Sequence, residues 1–268
     1  IDISDNTPSI VGSYTSSTLM AGEYSALAVS GDFVYITNKE SVGDNLVILD
    51  ISNPESPAYR SQLNAGLAIS DITVVGTYAF ITESFGGAPL SIVNIADIDN
   101  PYEMTVPSLD ISNPGTIINE GNYLYLLDEN GKLAVIHVPT IDSPSVVTSS
   151  IDLFSINGDK QKQGLFIDGN RLYATNGVSG EFAVVDVSTP GSPSLLGTVS
   201  TSTGAQLDGA TGVFAAGDYA YVASDVDDAL SIIDVSDPTS PTEVGFVTST
   251  NLNGAHQVTV KGNYAYVV

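Results

Sequence analysis

Asp225, Asp227 and Asp228, in the run DVDD, are the best candidates for chemistry in this chain. Calcium takes six to eight oxygens, partly from backbone carbonyls, and such a loop supplies several of them. The spacing is not that of an EF-hand loop, so the competing reading is a solvated polar loop. Asp128, Glu129 and Asn130, followed by Gly131, form a second cluster in the equivalent loop two repeats earlier.

The other chemistry-bearing types are scarce. There are two histidines, His137 and His256, and no cysteine. A His-pair zinc motif, a thiolate nucleophile and a disulfide framework are therefore excluded. His256, in NGAHQVTV, introduces an innermost strand and is a candidate to face a central opening. His137 reads as a hydrogen bonder at a strand end. No G-x-S-x-G elbow and no phosphate-binding glycine loop occurs, and the glycines fall mostly at turns.

One acid recurs. Asp2, Asp50, Asp186 and Asp234 hold the same place, with Asn94 and His137 standing there in two other copies. A ring of acids could bind cations. An Asp ahead of a Ser-Asx-Pro turn more simply accepts the backbone N–H groups of that turn.

The elements that position these residues are repeated six times. An aromatic recurs at Tyr35, Phe80, Tyr125, Tyr173, Tyr221 and Tyr266, in steps of 45, 45, 48, 48 and 45 residues. Each follows a Gly-polar pair: Gly31-Asp32, Gly76-Thr77, Gly121-Asn122, Gly169-Asn170, Gly217-Asp218 and Gly262-Asn263. Glycine accepts the positive φ of a tight hairpin, and the alternation after it is that of a strand. A third, evenly apolar segment follows, as in 46–51, 90–95, 133–138, 182–187 and 231–235, the pattern of a strand covered on both faces. A Pro-rich turn such as SDPTSP ends it, and a short outer strand closes the unit, as in 58–63, 102–106, 194–199 and 242–247. LDISNP at 109–114 is out of phase and belongs to a connection. No amphipathic helix is evident.

Strand repeats of this period close into propellers. The expected fold is all-β: one domain over residues 1–268, a six-bladed propeller of four-stranded antiparallel blades with repeats of about 43–49 residues. IDIS at the start reads as a third strand and PSIVGSY as a fourth, while HQVTVKGNYAYVV reads as a first and second. The last blade is then shared between the termini, and pairing of N- and C-terminal strands closes the ring. Pairing with another molecule would instead propagate a fibre.

The GNYAYV hairpin followed by an IIDVSDP-type strand and a second proline resembles the LVIVD repeat family, along essentially the whole chain. The match is weaker around Phe80 and Tyr125, where VNIADIDNPYE and IHVPTIDSP depart from the pattern. The resemblance implies a β-propeller in an exported or cell-surface protein. It brings no catalytic residues.

Seven bases against 31 acids give a net charge of −24, although only 14% of residues are charged. Such a field repels nucleic acid and anionic membranes and favours cations. No stretch of the sequence reads as a transmembrane helix. The chain reads as a mature or trimmed piece of a longer precursor. Among the inner segments only Asn119, Glu120 and Asp168 stand out, all beside turns. A channel enzyme needs several convergent groups there. The expected function is thus a non-catalytic scaffold, adhesion or interaction module, extracellular or on a cell surface, with protein or carbohydrate partners. The Ser/Thr-rich connections, such as VSTSTG, offer the hydroxyls for such contacts. A structural subunit of a surface layer or fibre, self-assembling, is one alternative. A calcium-dependent propeller hydrolase or lyase is the other, with calcium as the cofactor to expect.

Overall fold

The computed structural model describes residues 9–15, 24–38, 45–65, 69–83, 89–104, 111–138, 145–154 and 163–268. Contacts divide the chain into two compact units, Ile1–Ser108 and Leu109–Val268. The first holds two sheets, made of β1 (Tyr24–Ser30), β2 (Phe33–Asn38), β3 (Leu46–Asp50) and β4 (Ala58–Leu63), then β5 (Ile69–Val75), β6 (Tyr78–Glu83), β7 (Leu90–Asn94) and β8 (Tyr102–Met104). The second unit holds three four-stranded sheets. Their strands are β9 (Pro114–Glu120), β10 (Tyr123–Asp128), β11 (Lys132–His137) and β12 (Ser145–Asp152); β13 (Gln163–Asp168), β14 (Arg171–Asn176), β15 (Glu181–Asp186) and β16 (Ser194–Ser200); and β17 (Ala210–Ala216), β18 (Tyr219–Ser224), β19 (Ala229–Asp234) and β20 (Thr242–Thr248). A two-stranded sheet follows, β21 (Val258–Lys261) and β22 (Tyr264–Val267). Every pairing is antiparallel between neighbours in sequence, and the described helix is two 3-10 turns, Thr201–Thr203 and Thr250–Leu252.

The hairpin glycines adopt the expected backbone. Gly31, Gly76, Gly121, Gly169, Gly217 and Gly262 all have φ between 55° and 61°. The residue after each of the first five of these glycines then anchors the end of the third strand: Asp32, Thr77, Asn122, Asn170 and Asp218 accept, through their carbonyls, the N–H of Ile51, Ile95, Val138, Val187 and Val235.

The core lies between successive sheets of a unit. Tyr35 packs with Ala79 and Ile81, Tyr125 with Leu172 and Ala174, and Tyr173 with Ala220 and Val222. A large ring on one sheet therefore meets a small residue on the next. The third strands β3 and β7 are buried along four consecutive residues, whereas β20 is exposed at five of seven.

Outer strands share a second device. A bulge precedes Ser61, Gly197 and Gly245 in the pairing with the third strand. The small residue admits the next sheet's turn: Ser61 Oγ donates to Ile98 O at 2.5 Å, and a Cβ on Gly197 would lie 2.6 Å from Pro241 Cδ. Gly12 meets the Pro54–Glu55 turn in the same way, with a built Cβ 2.1 Å from Pro54 O. Gly245 has nothing within 4 Å. The expected strand at residues 1–4, with Asp2, lies outside the described residues, as do 105 and 106 of the outer strand expected at 102–106.

Candidate functional site

The repeated acids serve their own turns. Asp50 Oδ1 accepts the N–H of Ser52 at 2.9 Å, Asp186 Oδ1 that of Ser188 at 2.8 Å, and Asp234 Oδ1 that of Ser236 at 2.9 Å. Asn94 does the same for Ala96 at 2.9 Å. The Ser52 hydroxyl and then its N–H hold the Asp50 carboxyl below the usual range, and Ser236 does the same to Asp234. At Asp186 the Ser188 N–H leads. His137 departs from the pattern: its ring stacks on Tyr123, with centroids 4.6 Å apart and planes at 20°.

The Asp225–Asp228 loop joins β18 to β19 and clamps the connectors on both sides. Asp225 N–H donates to Gly209 O at 3.1 Å, and Asp227 N–H to Asp208 O at 3.2 Å. Asp227 Oδ2 accepts Asp208 N–H at 2.8 Å. Asp228, at φ 49°, turns the other way: its Oδ1 accepts Asn253 Nδ2 at 3.2 Å and its carbonyl accepts Ser249 N–H at 3.1 Å. Asp227 serves one connector and Asp228 the other, and among the described residues no three ligating side chains converge on a metal position. The physical reason is that neighbouring carboxylates repel and each finds a separate hydrogen-bond donor.

The second cluster behaves alike. Asp128, 1% exposed, accepts Asn130 N–H at 2.8 Å and Lys132 N–H at 2.9 Å on Oδ1, and Ser112 N–H at 3.1 Å on Oδ2. Glu129 accepts Asn113 Nδ2 at 2.7 Å. The described part of the out-of-phase LDISNP stretch is therefore the connector held by these acids, and Pro114 opens β9.

His256 lies two residues before β21 and is exposed. Its N–H donates to Val268 O at 2.8 Å, and Nδ1 lies 2.6 Å from Gly254 O. Its backbone carbonyl would lie 2.8 Å from a Cβ on Gly212 of β17. Glu120 and Asp168 are exposed at hairpin ends, opposite Tyr123 and Arg171.

One of the three loop aspartates, Asp227, enters a concave site. A cleft of about 370 Å³ is lined by Val178, Ser179, Thr201, Gln206, Asp208 and Asp227, with Gly180, Gly204 and Ala205. Its walls are held by backbone bonds: Thr201 N–H to Gly180 O at 3.0 Å, Gly209 N–H to Gly177 O at 2.9 Å, and Gly204 N–H to Thr201 O at 2.9 Å. Asn176, fully buried, accepts the N–H groups of Val178 and Ser179 and sets the third wall. Gln206 is anchored by its backbone, donating to Glu243 Oε1 at 3.1 Å and accepting the Ser224 and Ser231 hydroxyls. Ser179 Oγ is buried with no partner. The sequence reading named Asp227 and the hydroxyl-rich connector, but not Ser179, Gln206 or Asp208. No signal in one copy of a repeat tells which connector folds back on which loop.

The LVIVD repeat model matches residues 21–64, 115–149, 163–201, 209–249 and 254–268, more than half of the chain. The second sheet, around Phe80, lies outside these matches, as its irregular sequence leads one to expect. Among proteins of curated function none matches in sequence. The structure is similar to that of the periplasmic gluconolactonase PpgL of Pseudomonas aeruginosa, at 17% identity and a TM-score of 0.68, covering 91% of this chain and 72% of that one. It is similar to the β-propeller domain of Cps50 (Swd1) from Myceliophteria thermophila, at 13% identity and a TM-score of 0.65, over 88% and 75%. A chain of a nidogen/laminin complex matches at 16% identity and a TM-score of 0.56, over 87% and 83%. At these identities the likeness establishes the propeller fold alone.

Proposed function

The chain belongs to the LVIVD repeat family, and from that we propose that it is a non-catalytic interaction module acting outside the cytoplasm. The observation that carries this reading is the fate of its acids. Asp50, Asp128, Asp186 and Asp234 are engaged by backbone N–H groups of their own turns and connectors. Such carboxylates fix loops in place. They present a preformed surface and are not poised for proton transfer. The excess of acids over bases supports a partner of opposite charge or none.

The test is twofold. Purified protein incubated with gluconolactone is expected to hydrolyse it no faster than buffer. A rate above background that a loop variant abolishes would overturn the reading in favour of an enzyme. Protease accessibility on intact producing cells is expected to place the chain outside. Protection until lysis would overturn that location.

The proposal includes ring closure, with residues 1–4 as third strand beside β22 and 9–14 as fourth. Gly12 meeting the Pro54–Glu55 turn, as Gly197 meets the turn of the next sheet, supports the outer-strand place of this segment. By the repeat of Ala220 opposite Ile233, Ile1 falls opposite Ala265. Cysteines at those two positions are expected to bridge within one chain on mild oxidation. Bridges between chains would favour the fibre alternative.

A further inference from the structure

The cleft beside Asp208 and Asp227 has a one-sided chemistry. Asp208, Asp227, Thr201, Ser179 and Gln206 line it, and no base does. Among the described residues no Lys, Arg or His pairs with Asp208 or Asp227. Asp227 uses Oδ2 to accept Asp208 N–H, which leaves Oδ1 and the Asp208 carboxylate for a ligand. Ser179, whose Oγ is buried and unpartnered, belongs to the same wall. Val178, half exposed on the rim, offers an apolar surface beside these acceptors.

We propose that this cleft docks a primary ammonium group, the end of a lysine side chain of a partner protein. An ammonium presents three donors and no acceptor, which matches the two acceptor-only carboxylates. The four-carbon stem lies along an apolar rim while its head stays in polar surroundings. A sugar is a poorer match, because no aromatic ring lines this cleft for stacking. A planar guanidinium could pair through both oxygens with Asp208 alone, since Asp227 has one oxygen engaged. The inference rests on the reading of the chain as an interaction module and names the chemistry of its contact.

The experiment is a titration followed at the backbone amides of Gly180, Gly204, Asp208 and Asp227 by heteronuclear NMR. The probe is Nα-acetyl-lysine amide, with Nα-acetyl-norleucine amide, methyl glucoside and calcium chloride as parallel arms. Saturable shifts with the lysine probe alone are expected. Asp208→Asn and Asp227→Asn should each weaken binding about threefold to fivefold while lowering stability by less than about 0.5 kcal/mol, since both keep an acceptor oxygen. Raising salt should weaken it as well. Equal shifts with the norleucine probe, with the glucoside, or with calcium at lower concentration would overturn the proposal in favour of an apolar, carbohydrate or metal site. A blank titration also overturns it. The broader reading is judged separately by lactone hydrolysis, so a blank here leaves that reading standing.

Discussion

Asp208 and Asp227 hold each other by two hydrogen bonds: Asp208 N–H reaches Asp227 Oδ2 at 2.8 Å, and Asp227 N–H reaches Asp208 O at 3.2 Å. A connector between sheets and a loop within a sheet are thereby locked together, and the cleft owes its shape to that lock. Asp227→Ala removes the acceptor and leaves the Asp208 N–H to find water. A loss of about 1 kcal/mol is expected in urea unfolding, while Asp227→Asn should lose less than half of that. Equal losses would show that charge, not the bond, does the holding.

Gly209 and Gly204 separate steric from conformational strain. Both have positive φ, 76° and 91°, but a Cβ on Gly209 would lie 2.1 Å from Asp225 Oδ1, while Gly204 faces open space. Gly204→Ala is expected to cost about 1–2 kcal/mol, for the left-handed backbone alone. Gly209→Ala is expected to cost about 1–3 kcal/mol beyond that, because Asp225 and Val226 must shift. Similar unfolding midpoints for the two variants would refute this packing.

Asp50, Asp186 and Asp234 titrate below the ordinary carboxylate range in the folded chain. A depressed folded pKa contributes stability that is complete above the unfolded value, about 3.9, and is lost as pH falls through the folded value. Carboxyl carbon titrations should therefore give midpoints below about 3.9 at these three positions. Ser236→Ala should move the Asp234 midpoint upward, since the Ser236 hydroxyl is the largest cause of its depression.

Tyr125 is 2% exposed, and burial pushes its phenol up to about 12, with Tyr123 and Glu120 adding to the effect. The unfolded chain releases that proton near pH 10, so stability should fall between about pH 10 and 12. Tyr125→Phe removes this contribution and should flatten the alkaline limb of the stability curve. An unchanged limb would mean that other groups dominate it.

Because Asp227 and Asp228 serve opposite connectors, strong chelation is expected to leave the melting temperature unchanged. Calcium and magnesium should act alike, through screening of the negative surface. A rise with calcium alone would restore a specific site at this loop.

Local sequence was sufficient for the turn and strand features that recur within each repeat. Positive φ at the six hairpin glycines follows from glycine lacking a Cβ. Asp50, Asp186 and Asp234 had to find the N–H two residues on, because the turn brings it within reach whatever surrounds it. The even apolarity of β3 and β7 announced burial on both faces. The family was legible for the same reason, since the repeat itself carries it. Contacts between repeats were decided by tertiary structure alone. Nothing in DVDD says that Asp227 reaches back to Asp208 while Asp228 reaches forward to Asn253. Nothing in Ser61, Gly197 or Gly12 says that a neighbouring turn fills the space beside it. Those partners lie one connector away, so which groups meet depends on how one sheet stacks on the next, and that is set by the whole inter-sheet core.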